Sequence, residues 1–397
     1  MGLLRLLHAI AVIIAHSTPI FGMPLVGGVG AVQTFYMVSG FYMTLILETK
    51  YVGSGSYRLF LVNRFLRLFP IYWVILLLTV VAAVVARLSI GHWVQLEPFV
   101  AWRHQLSGFT WFYLLGTNLA IVGQDWLLFM GLNPETGRLF FTPNFLTLDP
   151  PIYGFLPIFQ AWSIGVEISF YLLAPFIVRR SVRQVSLLIL ISLSLRAVIY
   201  YELDWHFDPW TYRFFPTELA FFLFGTLAYR LYEWLKQRPL PQIIPWIGTL
   251  LILGLTVLYP ILPAPWGNEE LKLWTHYALI LVGLPFAFLA SANSKIDRWL
   301  GELSYPVYMA HGLIITSLRL IPGVTNLGLS EGTLTLLISL AAAWLLKIGI
   351  ADPVEKIRQS RIERLQVPTD GHKNMTNHIL RTRRHSSKGS EMIFVEE

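Results

Sequence analysis

The sequence predicts an all-α polytopic membrane protein, a bundle of about ten transmembrane helices. Hydrophobic residues make up 55% of the 397 residues and charged residues only 13%, proportions that soluble globular domains do not reach. Long apolar segments recur, and basic and acidic connections alternate between them. The net charge of +7 suits an anionic lipid leaflet better than nucleic acid, so we expect membrane lipid and no nucleic acid among the partners. Because cysteine is absent, disulfides and thiolate nucleophiles are excluded.

The first apolar segment, residues 3–21, carries ionisable residues that a hydrocarbon core disfavours. In a helix, the eleven-residue step from Arg5 to His16 places both side chains on one face, about 16 Å apart along the axis. His16 would then lie near mid-membrane, where ionisable residues are functional candidates, whereas His8 is expected at the interface. The alternatives are a signal peptide and a histidine that only packs between helices.

Nine further apolar segments follow, and the charges between them predict the topology. They cover residues 30–47, 68–86, 161–177, 185–201, 214–235, 243–262, 274–290, 304–321 and 333–350. The connection between the second and third segments is strongly basic, which places it in the cytoplasm. We therefore expect ten spans in the cell inner (plasma) membrane with both termini cytoplasmic. Residues 87–160 would form an external loop in which 111–122 is re-entrant or interfacial; if 111–122 crosses the membrane, the parity breaks.

Two domains are expected on composition. Residues 1–351 would form the transmembrane domain, and residues 352–397 a basic cytoplasmic tail that is helical to about Leu365 and disordered afterwards. No convincing internal repeat is evident, which disfavours an inverted-repeat transporter.

An arginine pair precedes the third segment. Arg64 and Arg67 are three residues apart and therefore share a helix face. Paired guanidinium groups there could bind phosphate, and Arg5 is expected on the same side of the membrane. Ordinary positive-inside anchoring is the alternative.

The fourth segment begins with a polar stripe. Gln160, Ser163 and Glu167 follow helical spacing, and a carboxylate two turns inside a membrane helix needs a histidine or arginine partner from another segment. A purely structural buried pair is the alternative.

Two later segments carry further candidates. Arg213 and Glu218 are expected near the outer surface, where they could contact a polar acceptor or each other. His311 lies within the ninth segment, with Tyr308 one turn below it, and either packing or catalysis would explain it.

In this order, the segments resemble the membrane acyltransferases called acyltransferase family 3, which acylate sugars and other envelope hydroxyls using acyl-CoA. The resemblance rests on Arg5 with His16, on residues 35–41 containing Ser39, on Arg64 and Arg67 leading to Pro70 and Trp73, on Trp162-Ser163 with Glu167, Phe170 and Tyr171, and on Ser304-Tyr305 with Tyr308 and His311. The family's usual Asp-Gly opening is missing, and Tyr36 replaces a phenylalanine. The resemblance implies that His16 is the essential histidine and that Arg5, Arg64 and Arg67 belong to the donor side.

The function so implied is transfer of an acyl group, expected to be acetyl, from cytoplasmic acyl-CoA to a hydroxyl of a cell-envelope or exported glycan or lipid-linked sugar. His16 would be the base or a transient covalent acyl carrier, and Glu167 would orient it. Residues expected to bind the acceptor or support the site are Ser39, Trp162, Ser163, Arg213, Glu218, Tyr308 and His311. Acyl-CoA would be a co-substrate, with no permanently bound cofactor and no metal.

Two other classes compete with this interpretation. A transporter or flippase for a polar or anionic substrate would also need buried histidine, glutamate and arginine, whereas a membrane scaffold would leave these residues unexplained. No soluble esterase-like domain follows the last predicted helix, so a second catalytic module would be a separate envelope-side partner protein.

Overall fold

The computed structural model describes residues 1–324 and 328–366, which are predominantly helical. The helices are α1 (Gly2–His16), α2 (Gly27–Thr49), α3 (Ser56–Ile90), α4 (Glu97–Ala101), α5 (Gly108–Ala120), α6 (Gln124–Leu127), α7 (Trp162–Ile177), α8 (Val182–Ala197), α9 (Phe215–Lys236), α10 (Ile243–Leu258), α11 (Glu269–Ser291), α12 (Lys295–Arg319), α13 (Glu331–Leu346) and α14 (Asp352–Gln366). A short antiparallel hairpin joins β1 (Met130–Leu132) to β2 (Leu139–Phe141).

The prediction of an all-α polytopic membrane protein is confirmed. Seven helical segments of the described chain are long and apolar enough to cross a membrane. Each of the ten predicted spans coincides with a helix, but α1, α9 and α12 are not among the seven. α1 is only 15 residues long, and α9 and α12 carry several charged residues. The number of spans therefore stays a prediction.

The helix α1 is shorter than the predicted segment 3–21. It ends at His16, and Pro19 follows three residues later, a residue that disfavours a helical conformation at the position before it. His16 therefore lies at the C-terminal end of α1 rather than in its interior. His8 is buried within the protein, near the rings of Phe35 and His276, and its position at the membrane interface stays a prediction.

The helix α3 is longer than predicted. The basic connection expected before residue 68 is itself helical, so α3 extends for 35 residues, or about 52 Å. This exceeds the roughly 30 Å of a hydrocarbon core, and Arg64 and Arg67 lie in the part that precedes the most apolar stretch.

The centre of the bundle is formed by α1, α2, α9 and α12, with α2 packed closely on α9. Gly40 of α2 faces the carbonyl of Phe222, and Gly225 of α9 faces the backbone at Met37. A Cβ atom at either glycine would overlap the opposite backbone, so these two positions allow the close approach of the helices. The rings of Phe170 and Phe222 stack at 4.2 Å beside this contact.

The region 91–161 forms a cap of short elements. Its helix α5 has 13 residues, about 20 Å, which is too short to cross a hydrocarbon core alone and agrees with an interfacial or re-entrant segment. At the other end of the chain, α14 packs against α3. The predicted tail is thus helical to Gln366, and the disorder expected beyond it lies outside the described residues.

Candidate active site

Two cavities open at opposite ends of α1. The first, which we call the arginine cavity, has a volume of about 90 Å³ and is lined by Arg5, Ser39, Arg64, Arg67, Ser163, Glu167 and Tyr308, among others. The second, the histidine cavity, has a volume of about 480 Å³ and is lined by His16, Phe159, Trp162, Asp208 and Arg213, among others. The structure therefore places most of the predicted site residues at one of these two cavities.

The arginine cavity is strongly basic. Arg5 comes from α1, and Arg64 and Arg67 come from one face of α3, as their spacing predicts. The Arg64 side chain is buried and lies beside the rings of Phe60 and Tyr171, at 5.8 and 6.0 Å from their centroids. Of the described residues that line this cavity, three carry guanidinium groups and one, Glu167, carries a carboxylate, a composition that favours an anionic ligand such as a phosphate.

Glu167 lies in the arginine cavity and not beside His16. Its Oε1 atom accepts hydrogen bonds from the Ser39 hydroxyl at 2.7 Å and from the Tyr171 hydroxyl at 2.6 Å. The pairing of Glu167 with His16 expected from the sequence is absent, because Glu167 lies one turn beyond Ser163 on the arginine side of α7. Its carboxylate instead fixes two hydroxyl groups in that cavity.

The start of α7 separates the two cavities. Trp162 lines the histidine cavity, and the next residue, Ser163, lines the arginine cavity. The Ser163 and Tyr308 hydroxyl oxygens are 2.6 Å apart, and both lie 3.1 Å from the carbonyl oxygen of Gln160. Because each hydroxyl has one proton, one hydroxyl donates to the other, which donates to this carbonyl. Gln160 is itself held by a hydrogen bond from its Nε2 to the carbonyl of Met309 at 2.8 Å. We call this hydrogen-bonded barrier the partition.

His16 is paired with His311. The Nδ1 atom of His16 lies 2.9 Å from the carbonyl of Val12 and 3.3 Å from Nε2 of His311, whose own Nδ1 lies 2.6 Å from the carbonyl of Tyr308. Because a carbonyl only accepts, both neutral rings carry their proton on Nδ1. His16 Nδ1–H is then shared between Val12 and His311, and His16 Nε2 keeps a lone pair that can accept a proton.

His16 and His311 differ in accessibility. His16 is exposed, whereas His311 is fully buried, with Phe159 edge-on to both rings at centroid distances of 4.9 and 5.9 Å. The carbonyl of His16 accepts a hydrogen bond from Arg319, which fixes the end of α1. A ligand in the histidine cavity can therefore contact His16. It cannot contact His311, which is buried behind His16 and Phe159.

Arg213 forms the far wall of the histidine cavity. Its guanidinium binds the carboxylate of Asp208 through two hydrogen bonds of 2.5 and 2.7 Å and stacks on Trp162 at 4.1 Å. Sequence reasoning missed Asp208, although it lies five residues before Arg213 in an acidic connection. Glu218 lines neither cavity; it is buried and binds Arg196 at 2.8 Å and Gln33 at 2.9 Å, so the expected contact with Arg213 or the acceptor is not present.

Within residues 1–324 and 328–366, no group of three or more histidine, aspartate and glutamate side chains is placed to hold a metal ion. The fold and the two opposed cavities define a polytopic membrane protein with a cationic site at one end and an accessible histidine at the other. The chain belongs to acyltransferase family 3, because it matches the acyltransferase domain of that family over residues 1–348. It is also 29% identical over 224 residues to an uncharacterized protein of Aquifex aeolicus (strain VF5), which covers 54% of this chain and 94% of that protein. No solved structure matches the chain.

Proposed function

We propose that the protein transfers an acyl group, acetyl in the simplest case, from cytoplasmic acyl-CoA to a hydroxyl of a cell-envelope glycan or lipid-linked sugar. One observation carries the proposal. A basic cavity and an accessible histidine lie at opposite ends of α1, and the partition lies where the two cavities adjoin, at Trp162 and Ser163. Membership of an acyltransferase family supports the reaction type.

The orientation in this proposal follows the charges along the chain. The arginine cavity would face the cytoplasm, where acyl-CoA is made, and the histidine cavity would face outward. The phosphates of CoA would bind Arg5, Arg64 and Arg67, and the pantetheine arm would pass Ser163 and Tyr308 to reach His16. At about 90 Å³ the arginine cavity holds only a small part of CoA, so donor binding requires this cavity to widen or the nucleotide to stay at its mouth.

The chemistry proposed for His16 is general base catalysis. His16 Nε2 removes the proton of the acceptor hydroxyl as its oxygen attacks the thioester carbonyl carbon. The carbon–sulfur bond then breaks, and the CoA thiolate takes the proton from the imidazolium to leave as the free thiol. Val12 and His311 stabilise the imidazolium by accepting hydrogen bonds from its Nδ1–H. They thus orient His16, the role that the sequence analysis gave to Glu167. Covalent acylation of His16 remains the alternative route.

The other cavity residues have supporting parts in this proposal. Trp162 and Arg213 form a flat wall on which an acceptor sugar can stack. Ser39, Glu167 and Tyr171 keep the arginine cavity polar enough to admit the thioester arm. Glu218 stabilises the packing of α2, α8 and α9, and we no longer include it among the acceptor-binding residues.

Release of free CoA from acetyl-CoA by purified protein in vesicles made from native membrane lipid tests the proposal. We expect thiol release with wild-type protein and its loss in His16→Ala, with expression and donor binding retained. A transporter has no reason to consume a thioester. Intact acetyl-CoA with wild-type protein, together with uptake of a polar or anionic solute, would support the transporter class instead.

A further inference from the structure

A third cavity lies beside the histidine cavity. This aromatic cavity has a volume of about 500 Å³, within the usual range of about 300–1,000 Å³ for small-molecule sites. Its walls come from α5, α6, the β1–β2 hairpin, Ser169 of α7, and residues 210–216 at and before the beginning of α9. It therefore belongs to the cap and is separate from the arginine cavity.

The lining of the aromatic cavity is mostly rings. Phe129 packs on Trp210 at 4.9 Å and on Phe214 at 5.6 Å, and Trp210 is fixed by a hydrogen bond from its indole to the carbonyl of Pro143 at 2.9 Å. These contacts fix the rings in place, so the apolar wall of the cavity is rigid. A hydrocarbon ligand gains free energy in such a site by leaving water or loosely packed surroundings.

The rim of the cavity is exposed and apolar. Phe109, Trp126 and Phe141 all line the cavity and are 69%, 63% and 63% exposed. In membrane proteins, exposed aromatic residues are typical of the boundary between lipid and water. The mouth therefore faces a place that lipid chains can reach.

The aromatic cavity and the histidine cavity are adjacent, because Arg213 lines both. Leu128 lines the histidine cavity, and the adjacent Phe129 lines the aromatic cavity. One molecule can thus place a polar end near His16 and an apolar end among the rings.

We propose that the aromatic cavity holds the hydrocarbon chain of a lipid-anchored acceptor whose sugar head occupies the histidine cavity. The identity of this ligand as the acceptor rests on the function proposed above. The inference selects a membrane-anchored sugar over a free glycan as the acceptor class. It also explains why the cavity mouth and the catalytic histidine lie at the same end of the bundle.

The polar groups of the aromatic cavity favour a chain over a sugar ring. A sugar buries several hydroxyls, each of which needs a hydrogen-bond partner. The described lining offers the polar groups of Tyr113, Asp125, Trp126, Ser169, Trp210 and Arg213. Four of them are already bonded: the Tyr113 and Ser169 hydroxyls and the Trp210 indole donate to backbone carbonyls, and Arg213 binds Asp208. The remaining two are too few for the several hydroxyls of a sugar, whereas a hydrocarbon chain needs none.

Photocrosslinking tests the proposal independently of catalysis. The probe is dodecyl β-D-glucoside with a diazirine in the middle of its chain, applied to protein in phosphatidylethanolamine–phosphatidylglycerol nanodiscs. We expect label in residues 126–141 and 210–216, with competition by excess dodecyl β-D-glucoside but not by methyl β-D-glucoside. The same label is expected in His16→Ala, so failure of the proposed chemistry and failure of the proposed site give different results.

Variants that fill the cavity from two walls sharpen the test. Met130→Trp and Ser169→Phe should each reduce competed labelling at least about tenfold by excluding part of the chain. The matched control is Leu187→Trp on α8, a residue that is 56% exposed and lines none of the three cavities; its labelling should equal that of wild type. Equal competition by methyl β-D-glucoside, or label unaffected by both filling variants, would overturn the proposal.

Discussion

Replacing His311 by phenylalanine separates a catalytic base from the residue that positions it. The substitution keeps an aromatic ring in a buried site beside Phe159 but removes the Nε2 acceptor for the His16 Nδ1–H. In the proposed transition state His16 is an imidazolium, so the lost bond is charge-assisted and worth about 1.5–3 kcal/mol. The carbonyl of Val12 still accepts at 2.9 Å, and the lost contact is long at 3.3 Å, so we expect the lower value.

A loss of about 1.5 kcal/mol corresponds to about a tenfold fall in kcat. The KM for acetyl-CoA should stay unchanged, because His311 lies beyond the partition from the arginine cavity. Removal of the base itself in His16→Ala should cost far more, about 10²- to 10⁴-fold. The assay is release of free CoA in inverted membrane vesicles, which retain the natural acceptor.

A second buried histidine provides the control. His276 on α11 lines none of the three cavities, and His276→Phe removes a buried imidazole without touching His16. We expect this variant to keep wild-type kcat. If His311→Phe is as inactive as His16→Ala while His276→Phe is active, His311 is the base and the tautomer argument is wrong; if His311→Phe matches wild type, His311 only packs.

Three further predictions concern the donor, the pH dependence of stability and the topology. Arg67→Ala should raise the KM for acetyl-CoA more than Arg67→Lys, which keeps the charge but loses the planar fork; equal values in steady-state kinetics would make Arg67 a topology anchor. Burial raises the pKa of Asp125 from 3.8 to about 7, so its ionisation lowers stability progressively from about pH 4 to pH 7, by up to about 4 kcal/mol. Asp125→Asn should therefore gain in Tm relative to wild type between pH 5 and pH 8 in thermal unfolding; a constant difference would contradict this. Because the chain has no cysteine, an impermeant thiol reagent should label Thr136→Cys in intact cells but Arg183→Cys only after permeabilisation, and labelling of both would refute the orientation.

Features set by helical spacing could be predicted from the sequence. The position of Arg64 and Arg67 on one face follows from their three-residue separation, and their proximity to Arg5 follows from the placement of basic residues on one side of a membrane. In each case, one local rule decides the geometry.

Contacts between helices could not be predicted in this way. The partner of Glu167 depends on how α7 is rotated against α2, and periodicity gives a stripe without saying which neighbour it faces. Pro19 indicates that α1 ends near His16. The apolar residues beyond Pro19, which include Phe21, led to the prediction of a longer helix. The aromatic cavity is built largely from short cap elements around residues 109–141. These segments have no hydrophobic periodicity from which their structure could be predicted.

The partition has an electrical consequence for the proposed reaction. Since the CoA phosphates would stay on the arginine side of Ser163 and Tyr308, the groups that pass this barrier are a neutral acyl group outward and the hydrogen of a neutral thiol inward. Moving one elementary charge through the membrane exchanges about 2.3 kcal/mol per 100 mV, but this exchange moves none. By the proposed route, the cell would modify its outer sugars at the expense of a cytoplasmic thioester without drawing on, or dissipating, its membrane potential.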